Sequence, residues 1–308
     1  MSRAVVFAYH NVGHRCLSVL LAHGVDVALV VTHEDDPAER IWFESVESLA
    51  RLHDVAVATP RDPNTPEFVA RVAALQPAFL FSFYYRHMLK PGLLALPALG
   101  ALNMHGSLLP RFRGRAPVNW AVIRGERATG ATLHYMVEKP DAGDIVAQQA
   151  VPILPDDTAF EVFNKVTVAA ETALDGVLPS LLAGTAPRRP QDLARGSYFG
   201  GRKPEDGRID WRRSAAEIHN LVRGVAPPYP GAFSDVDGKR VRVLRTILPG
   251  EAPPRFGFSA LFCHSGRCYA ECGDGRAVRI LELEVDGRML QARTFARAGI
   301  TAPQRLPL

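Results

Sequence analysis

The sequence predicts an α/β protein with a mostly parallel, Rossmann-like sheet, followed by a smaller β-rich domain that resembles an OB barrel. In the first half, short β-branched runs alternate with segments whose apolar residues recur at helical spacing, which is the pattern of βαβ units. After residue 205, short β-like runs are separated by glycine turns, which favours a partly open barrel. The chain of 308 residues is 47% apolar and 22% charged, as is typical of a globular protein.

The elements of the first half follow one another closely. Strands are expected at residues 4–9, 25–32, 55–58, 79–83 and 99–104, followed by strands at 131–136 and 145–153, the second a candidate antiparallel strand. Helices are expected between them at residues 15–23, 45–53 and 66–75. Strand–helix–strand alternation of this kind predicts right-handed crossovers.

A long helix closes the first domain. Thr158 and Glu161 have the spacing of a capping box, and Pro179 is expected to kink the last turn. One apolar stripe runs along it to Gly184: Phe163, Val166, Ala170, Leu174, Val177 and Leu181. Residues 185–205 are rich in proline and glycine and are expected to be a linker. The predicted domains are therefore residues 1–184 and 206–308, the second with a short helix at 215–223.

Charge and cysteine content exclude several classes of protein. The net charge of +4 comes without the dense basic stripe of a nucleic-acid binder. No apolar run reaches the roughly 18 residues of a membrane helix, and the first strand is too short for a signal-peptide core, so a cytoplasmic protein without a membrane partner is expected. Cys263, Cys268 and Cys272 lie near His264 but lack the spacing of paired zinc knuckles, which favours small core residues and no metal.

The first strand lacks a dinucleotide fingerprint. Residues 9–13 read Tyr-His-Asn-Val-Gly, with one glycine where the G-x-G-x-x-G motif would lie. A nicotinamide-dependent dehydrogenase is therefore disfavoured.

Residues 103–117, NMHGSLLPRFRGRAP, carry the densest group of chemically capable side chains. They follow a predicted strand, and open α/β sheets bind ligands beyond the carboxyl ends of their strands. Asn103 and His105 point to the same side of that strand, which pairs a donor for an oxyanion with an imidazole that can move a proton. Asp141, in a tight turn, is expected to reach His105 and raise its pKa. No G-x-S-x-G elbow surrounds Ser107, so transfer to a nucleophile of the substrate is favoured over hydrolysis.

Spacing alone leaves a structural interpretation open. A histidine at a strand end is often a packing or surface residue, and Pro-Asp-Ala-Gly is good turn chemistry in its own right.

Residues 103–145 resemble the formyltransferase family that uses 10-formyltetrahydrofolate. The shared motifs are Asn-x-His, Ser-Leu-Leu-Pro, Arg-Gly-x-x-Pro and Asp-x-Gly. Residues 5–13, 81–89, 197–211 and 219–234 resemble the branch that formylates UDP-4-amino-4-deoxy-L-arabinose, which is part of a bifunctional polymyxin-resistance protein of lipid A modification. The resemblance is good up to about residue 240 and weak beyond it.

The resemblance implies a role for individual residues. His105 would be the general acid and base, Asn103 would stabilise the oxyanion, and Asp141 would orient the histidine. The residues that would contact the folate are His87, Met88, Leu89, Arg115, Val137, Glu138, Lys139, Pro140 and Asp141. The residues that would contact the sugar nucleotide are Tyr9, Arg202, Asn220 and Arg223. The partners implied are two small molecules, with no metal and no nucleic acid.

Three other functions compete with this one. Methionyl-tRNA formyltransferase shares the central motif, but residues 33–41 carry four acids and one arginine, which would repel a phosphate backbone. A formyltetrahydrofolate hydrolase leaves the sugar-branch segments unexplained. A non-catalytic folate- or nucleotide-binding module is disfavoured because Asn103, His105 and Asp141 are all present. The identity of the amino sugar and the oligomeric state stay open.

Overall fold

The computed structural model describes residues 2–37, 39–236, 238–291 and 303–307. The chain divides into two compact units that interleave along the sequence. Unit 1 comprises Met1–Pro117, Thr129–Val151 and Phe163–Phe199, and unit 2 comprises Val118–Ala128, Pro152–Val162 and Gly200–Leu308. The domains expected from the sequence, residues 1–184 and 206–308, are by contrast each one continuous stretch.

Unit 1 contains a seven-stranded sheet in the order β3-β2-β1-β4-β5-β7-β8. Its strands are β1 (Arg3–Ala8), β2 (Asp26–Val31), β3 (Val57–Ala58), β4 (Phe79–Phe83), β5 (Gly100–His105), β7 (Ala128–Tyr135) and β8 (Ile145–Pro152), with β6 (Arg113–Gly114) outside the sheet. The pairs from β3 to β5 are parallel, and β7 runs antiparallel to β5. The predicted parallel-dominated α/β fold is confirmed.

The strand order reverses between β1 and β4, because the chain first builds outward through β2 and β3 and then returns to the other side of β1. Ligands of open α/β sheets bind outside the carboxyl ends of the strands at such a switch point. The residues that follow β1, β4 and β5 are therefore the ones that the fold places at a binding edge.

The central strands are buried on both faces. Every residue of β4 is buried, and the rings of Phe79, Phe81 and Phe83 stack along one face with centroids 5.6 Å apart. Parallel strands covered on both sides show this near-continuous apolar character. The sequence between residues 79 and 83 predicts the strand for that reason.

The helices are α1 (His10–Ala22), α2 (Val46–Leu52), α3 (Pro66–Ala74), α4 (Pro91–Leu94), α5 (Pro117–Ile123), α6 (Ala159–Leu182) and α7 (Ala215–Gly224). Helix α1 begins at His10, five residues before its predicted start, because its first turn is polar and shows no apolar period. The capping box of α6 is confirmed: the Thr158 N–H donates to Glu161 Oε2 at 2.6 Å, and the Glu161 N–H donates to Thr158 Oγ1 at 3.3 Å. The helix continues through Pro179 to Leu182.

Residues 185–199, within the predicted linker, form ordered structure in unit 1. Strand β9 (Tyr198–Phe199) pairs in parallel with β6. The backbone N–H groups of Arg113 and Arg115 donate to the carbonyls of Ser197 and Phe199 at 3.0 and 2.9 Å. This pairing fixes the loop that follows β5, which contains the central motif of the sequence.

Unit 2 contains an antiparallel sheet in the order β10-β11-β14-β13-β12-β16, with β15 paired to β14. Its strands are β10 (Ala232–Val236), β11 (Lys239–Ile247), β12 (Ala260–His264), β13 (Arg267–Glu271), β14 (Ala277–Val285), β15 (Arg288–Gln291) and β16 (Gln304–Arg305). Trp211 anchors its core and donates from Nε1 to Ser234 Oγ at 3.0 Å. The predicted β-rich second domain is confirmed. Within the described residues, no helix has the length and apolar character needed to cross a membrane.

The capping box gives a first prediction. Thr158→Ala removes the acceptor for the Glu161 N–H, and loss of such a cap lowers the free energy of unfolding by about 1 kcal/mol. Urea denaturation measures it. Thr172→Ala is the matched control, since the exposed Thr172 hydroxyl bonds only to the Val168 carbonyl of its own helix and its removal is expected to be neutral. Equal stability of both variants would contradict the role of the cap.

Candidate functional site

Strained backbone marks the carboxyl edge of the sheet in unit 1. Five non-glycine residues there have positive φ: His10 at 68° after β1, Tyr84 at 57° after β4, Phe112 at 56° and Ala116 at 51° after β5, and Asp141 at 54° before β8. Such conformations cost free energy and collect where a site requires one particular geometry. The strained residues therefore indicate the same binding edge that the strand order of the sheet indicates.

His105 ends β5 and is 6% exposed. Its Nε2 lies 2.8 Å from the carbonyl oxygen of Phe112. A carbonyl only accepts, so Nε2 must carry the hydrogen, and in the neutral ring Nδ1 keeps its lone pair. Nδ1 lies 3.6 Å from Oδ1 of Asp141. The structure thus brings together the histidine and the carboxylate that the sequence singles out.

Asp141 lies at the centre of a small polar cluster. Its Oδ2 accepts the Gly114 N–H at 2.8 Å, and its Oδ1 is 3.6 Å from both His105 Nδ1 and His134 Nε2. Burial by itself would raise the pKa of Asp141, but the attraction to the protonated forms of the two imidazoles and the hydrogen bond from the Gly114 N–H outweigh it, so this pKa lies well below its usual range. The carboxyl group is therefore ionised at neutral pH.

Asp141 raises the pKa of His105, as expected, but the net shift of this pKa is downward. Burial lowers the pKa of His105 by more than the Asp141 charge and the hydrogen bond to Phe112 raise it. The imidazole is therefore neutral at neutral pH. The carbonyl of Phe112, and not Asp141, selects the tautomer, whereas Asp141 supplies negative charge beside the nitrogen that is free to take a proton.

His134 is a site residue that the sequence analysis did not single out. It lies directly opposite Asn103 where β5 and β7 pair. Its Nδ1 donates to the Tyr135 carbonyl at 2.8 Å, so Nε2 accepts from Asn103 Nδ2 at 3.2 Å. One hydrogen of the Asn103 amide is thereby committed, and the other is available to a ligand. Pairing of the predicted strands at 99–104 and 131–136 was the signal that could have found this histidine.

The loop after β5 is fixed by buried hydrogen bonds. Ser107 is fully buried and donates to the Arg111 carbonyl at 2.7 Å, which agrees with excluding it as a nucleophile. Thr132 Oγ1 donates to the Ser107 carbonyl at 2.6 Å and accepts the Leu109 N–H at 3.2 Å. At Gly106 a side chain would collide with the Tyr84 hydroxyl. The Phe112 carbonyl consequently has a rigid support.

The residues predicted to contact folate differ in exposure. His87 stacks on His33 with ring centroids 4.9 Å apart, Met88 is exposed, and Leu89 is buried in the core. Arg115 is exposed, as are Val137, Glu138 and Lys139, while Pro140 is half-buried. His87, Met88, Arg115 and residues 137–139 therefore present exposed side chains, whereas the side chain of Leu89 packs in the core.

Tyr9, predicted to contact the sugar nucleotide, packs against His33, which stacks on His87. Its hydroxyl donates to Asp35 Oδ1 at 2.6 Å, and its ring meets that of His33 edge-on at 5.1 Å. The Arg86 guanidinium lies 4.7 Å above the Tyr9 ring and pairs with both Glu39 oxygens at 2.7 Å. His33 thus lies between Tyr9 and His87. Two acidic residues of the 33–41 segment have partners within the protein: Asp35 accepts from Tyr9, and Glu39 pairs with Arg86.

Two further imidazoles at this edge are neutral. Burial lowers the pKa of His10 to about 3, and burial, together with His87 and Arg86, lowers the pKa of His33 to about 4. His10 stacks on Phe43 with centroids 4.1 Å apart. The edge thus presents neutral imidazoles and aromatic rings beside the charged pair of Arg86 and Glu39.

The other three residues predicted for the sugar nucleotide belong to unit 2. The Arg202 guanidinium lies 4.7 Å above the Trp120 ring and donates to the Asp206 carbonyl at 2.9 Å. Arg223 is buried, donates to the Asp157 carbonyl at 3.1 Å, and donates twice to Asn220 Oδ1 at 3.0 and 2.8 Å. Protein acceptors take up most of the Arg223 donors.

Across the ranges that the structure describes, no group of three or more histidine, cysteine or acidic side chains could hold a metal ion. Cys263 and Cys268 lie in the β12–β13 hairpin, and Cys272 follows β13; Cys268 and Cys272 are buried.

Comparison with known proteins places the chain in a family. The family model described as formyl transferase matches residues 10–178, and the model of the formyl transferase C-terminal domain matches residues 202–299.

Solved structures share the fold at low sequence identity. An N-formyltransferase from Helicobacter canadensis, in complex with folinic acid and dTDP-3-aminofucose, is 18% identical with a TM-score of 0.69, over 91% of this chain and 99% of that one. WlaRD, a sugar 3N-formyl transferase with dTDP and 5-N-formyl-THF, is 18% identical with a TM-score of 0.70, over 91% and 97%. HypX from Aquifex aeolicus, in complex with tetrahydrofolic acid, is 19% identical with a TM-score of 0.63, over 96% of this chain and 46% of that one.

The formyl transferase model covers more than half of the chain, and its match includes Asn103, His105 and Asp141. The protein therefore belongs to the formyl transferase family and is an enzyme that transfers formyl groups.

Proposed function

We propose that the protein transfers the formyl group of 10-formyltetrahydrofolate to the amine of a nucleotide-linked amino sugar, with UDP-4-amino-4-deoxy-L-arabinose as the first acceptor to test. The observation that carries the proposal is the state of His105, a neutral, buried imidazole whose Nδ1 faces an ionised carboxylate beside the Asn103 amide. The similar structures contain folates together with dTDP-3-aminofucose in one case and dTDP in the other, which supports the two substrate classes.

The first chemical step needs a hydrogen-bond donor that stabilises the negative charge on the formyl oxygen. The neutral amine of the sugar attacks the formyl carbon, a C–N bond forms, and the carbonyl oxygen becomes an oxyanion. Asn103 has one amide hydrogen committed to His134 and one available. That second hydrogen can donate to the oxyanion, and because His134 holds the amide in place, little reorganisation accompanies the reaction.

The second step moves a proton. The attacking nitrogen becomes acidic once it is bonded to carbon, and the folate N10 leaves readily only when protonated. His105 Nδ1 can take the proton from the amine and deliver it to N10, after which the bond between N10 and the formyl carbon breaks. The intermediate imidazolium lies beside Asp141, whose charge stabilises it. The histidine ends the cycle as it began, with its hydrogen on Nε2.

The substrate-contacting residues are part of the same proposal. We assign His87, Met88, Leu89, Arg115 and residues 137–141 to the folate. Within this set, the side chains of His87, Met88, Arg115 and residues 137–139 are exposed. We assign Tyr9, Arg202, Asn220 and Arg223 to the sugar nucleotide. Because Tyr9 contacts the His33–His87 stack, a Tyr9 substitution is also expected to affect the use of folate.

A panel of acceptors tests the function. With 10-formyltetrahydrofolate as donor, the purified protein should formylate UDP-4-amino-4-deoxy-L-arabinose or another UDP- or dTDP-linked amino sugar, and methionyl-tRNA should be a poor acceptor. Mass spectrometry of the products measures this, with His105→Ala as the inactive control. Efficient formylation of methionyl-tRNA at physiological salt, or failure on every amino-sugar nucleotide, would overturn the proposal.

The proton-transfer roles give a kinetic prediction. His105→Ala should lower kcat by about 10²–10⁴-fold, the usual contribution of general acid–base catalysis, while both substrates still bind. Asp141→Asn should lower the plateau rate by about 10²–10³-fold, because the imidazolium loses its stabilising charge.

The pH dependence of the rate distinguishes an electrostatic role of Asp141 from a purely structural role in its turn. Activity requires neutral His105, so the rate rises as pH increases through the His105 pKa, which lies below its usual value. Without the Asp141 charge this pKa falls further, so the acidic limb should move to lower pH in Asp141→Asn. The substrate amine titrates in the same way in both assays. Dividing the wild-type kcat/KM by that of the variant at each pH therefore removes its contribution. Asp144→Asn, whose carboxylate faces Arg188 at 3.5 Å, is the matched control, and an unmoved limb in Asp141→Asn would refute the role.

A further inference from the structure

We propose that Cys263 and Cys268 form a reversible dithiol–disulfide pair, an oxidation site on the β12–β13 hairpin of unit 2. The two residues lie directly opposite each other on these antiparallel strands. Residues paired in this way have Cα atoms about 4.5–5.5 Å apart, and a disulfide spans Cα atoms about 4.4–6.8 Å apart. The backbone therefore already has the separation that the oxidised form needs.

The side chains face each other on the same side of the sheet. The two thiols lie near enough to shift each other's pKa. Cys268 is fully buried in the core of unit 2, and Cys263 packs against that core. The turn Ser265-Gly266 has positive φ at both residues, 49° and 71°, as a tight two-residue hairpin requires. This turn holds the register and keeps the two sulfur atoms adjacent.

The two thiols differ in access. Cys263 is partly exposed, whereas Cys268 is 0% exposed. Burial raises the pKa of both thiols, and their mutual interaction lowers the pKa of Cys263 while raising that of Cys268. Cys263 is therefore the thiol that ionises first and that a small disulfide can reach, and Cys268 is reached through Cys263.

The reaction needs an oxidant, and a small-molecule disulfide such as oxidised glutathione supplies one. The Cys263 thiolate attacks one sulfur of glutathione disulfide, forms a mixed disulfide and releases one glutathione thiolate. Cys268 loses its proton and attacks the Cys263 sulfur, which releases the second glutathione. Two electrons pass from the protein to glutathione, and the two thiol protons end on the two released glutathione molecules.

The other two cysteines do not offer such a pair. Cys16 is buried in α1 of unit 1. Cys272 is four residues beyond Cys268 along extended chain, so their Cα atoms are about 13 Å apart, too far for a disulfide. Because Cys263 lies opposite Cys268 and the chain runs away from it, Cys272 is also too far from Cys263. The structure therefore specifies one pairing.

Peptide mapping of the full, native chain tests this. The reduced protein is incubated with oxidised glutathione, free thiols are alkylated, and trypsin cleavage after Arg255, Arg267 and Arg276 separates residues 256–267 from 268–276. These peptides should be found linked through Cys263 and Cys268, with Cys272 alkylated, and dithiothreitol should separate them. The proposal is overturned if both thiols stay free, if the reaction stops at glutathione on Cys263, or if Cys272 is linked equally often.

Three controls make the result specific. Cys272→Ala should leave the link intact, and Cys263→Ala, a change at a partly exposed position, should abolish it even if a Cys268 variant does not fold. In urea, the preference for Cys268 over Cys272 should fall to the modest bias that the shorter loop gives. An undiminished preference in the unfolded chain would show that the hairpin does not create it, and would contradict the proposal.

Discussion

The site depends on one buried, ionised carboxylate. Asp141 accepts the Gly114 N–H and lies 3.6 Å from the two imidazoles that face it. It thereby connects the loop after β5, the end of β5 and strand β7. A carboxylate in such a position is costly to bury unless its partners compensate, and here they do, since its pKa stays low. The positive φ at Asp141 shows that the turn conforms to this arrangement.

Two supports outside the reacting groups complete the geometry. The Phe112 carbonyl fixes the hydrogen of His105 on Nε2, and His134 fixes the amide of Asn103. Each support is itself held: the loop containing Phe112 by the Ser107–Thr132 hydrogen bonds, and His134 by the Tyr135 carbonyl. Such a division, in which some groups react and others hold them, keeps an active site preorganised.

Much of the fold was predictable because its signals are local. The β4 strand is a nearly continuous apolar run, and the capping box of α6 is recognised by two residues three positions apart; both are confirmed. The start of α1 was missed because its first turn is polar and is placed by the end of β1 rather than by an apolar face. Asn103, His105 and Asp141 could be selected from residue type and spacing. The Phe112 carbonyl is backbone, His134 acts through strand pairing, and the His105 pKa depends on burial, so none of these could be read from the local sequence.

The most direct measurement is ¹⁵N nuclear magnetic resonance of the His105 ring in the native protein. Chemical shifts of the two ring nitrogens report where the hydrogen is, and a pH titration reports the pKa. We predict a neutral ring at neutral pH with the hydrogen on Nε2 and a pKa below the usual value of about 6.5. A charged ring at neutral pH, or a hydrogen on Nδ1, would contradict the account of how this site handles the proton.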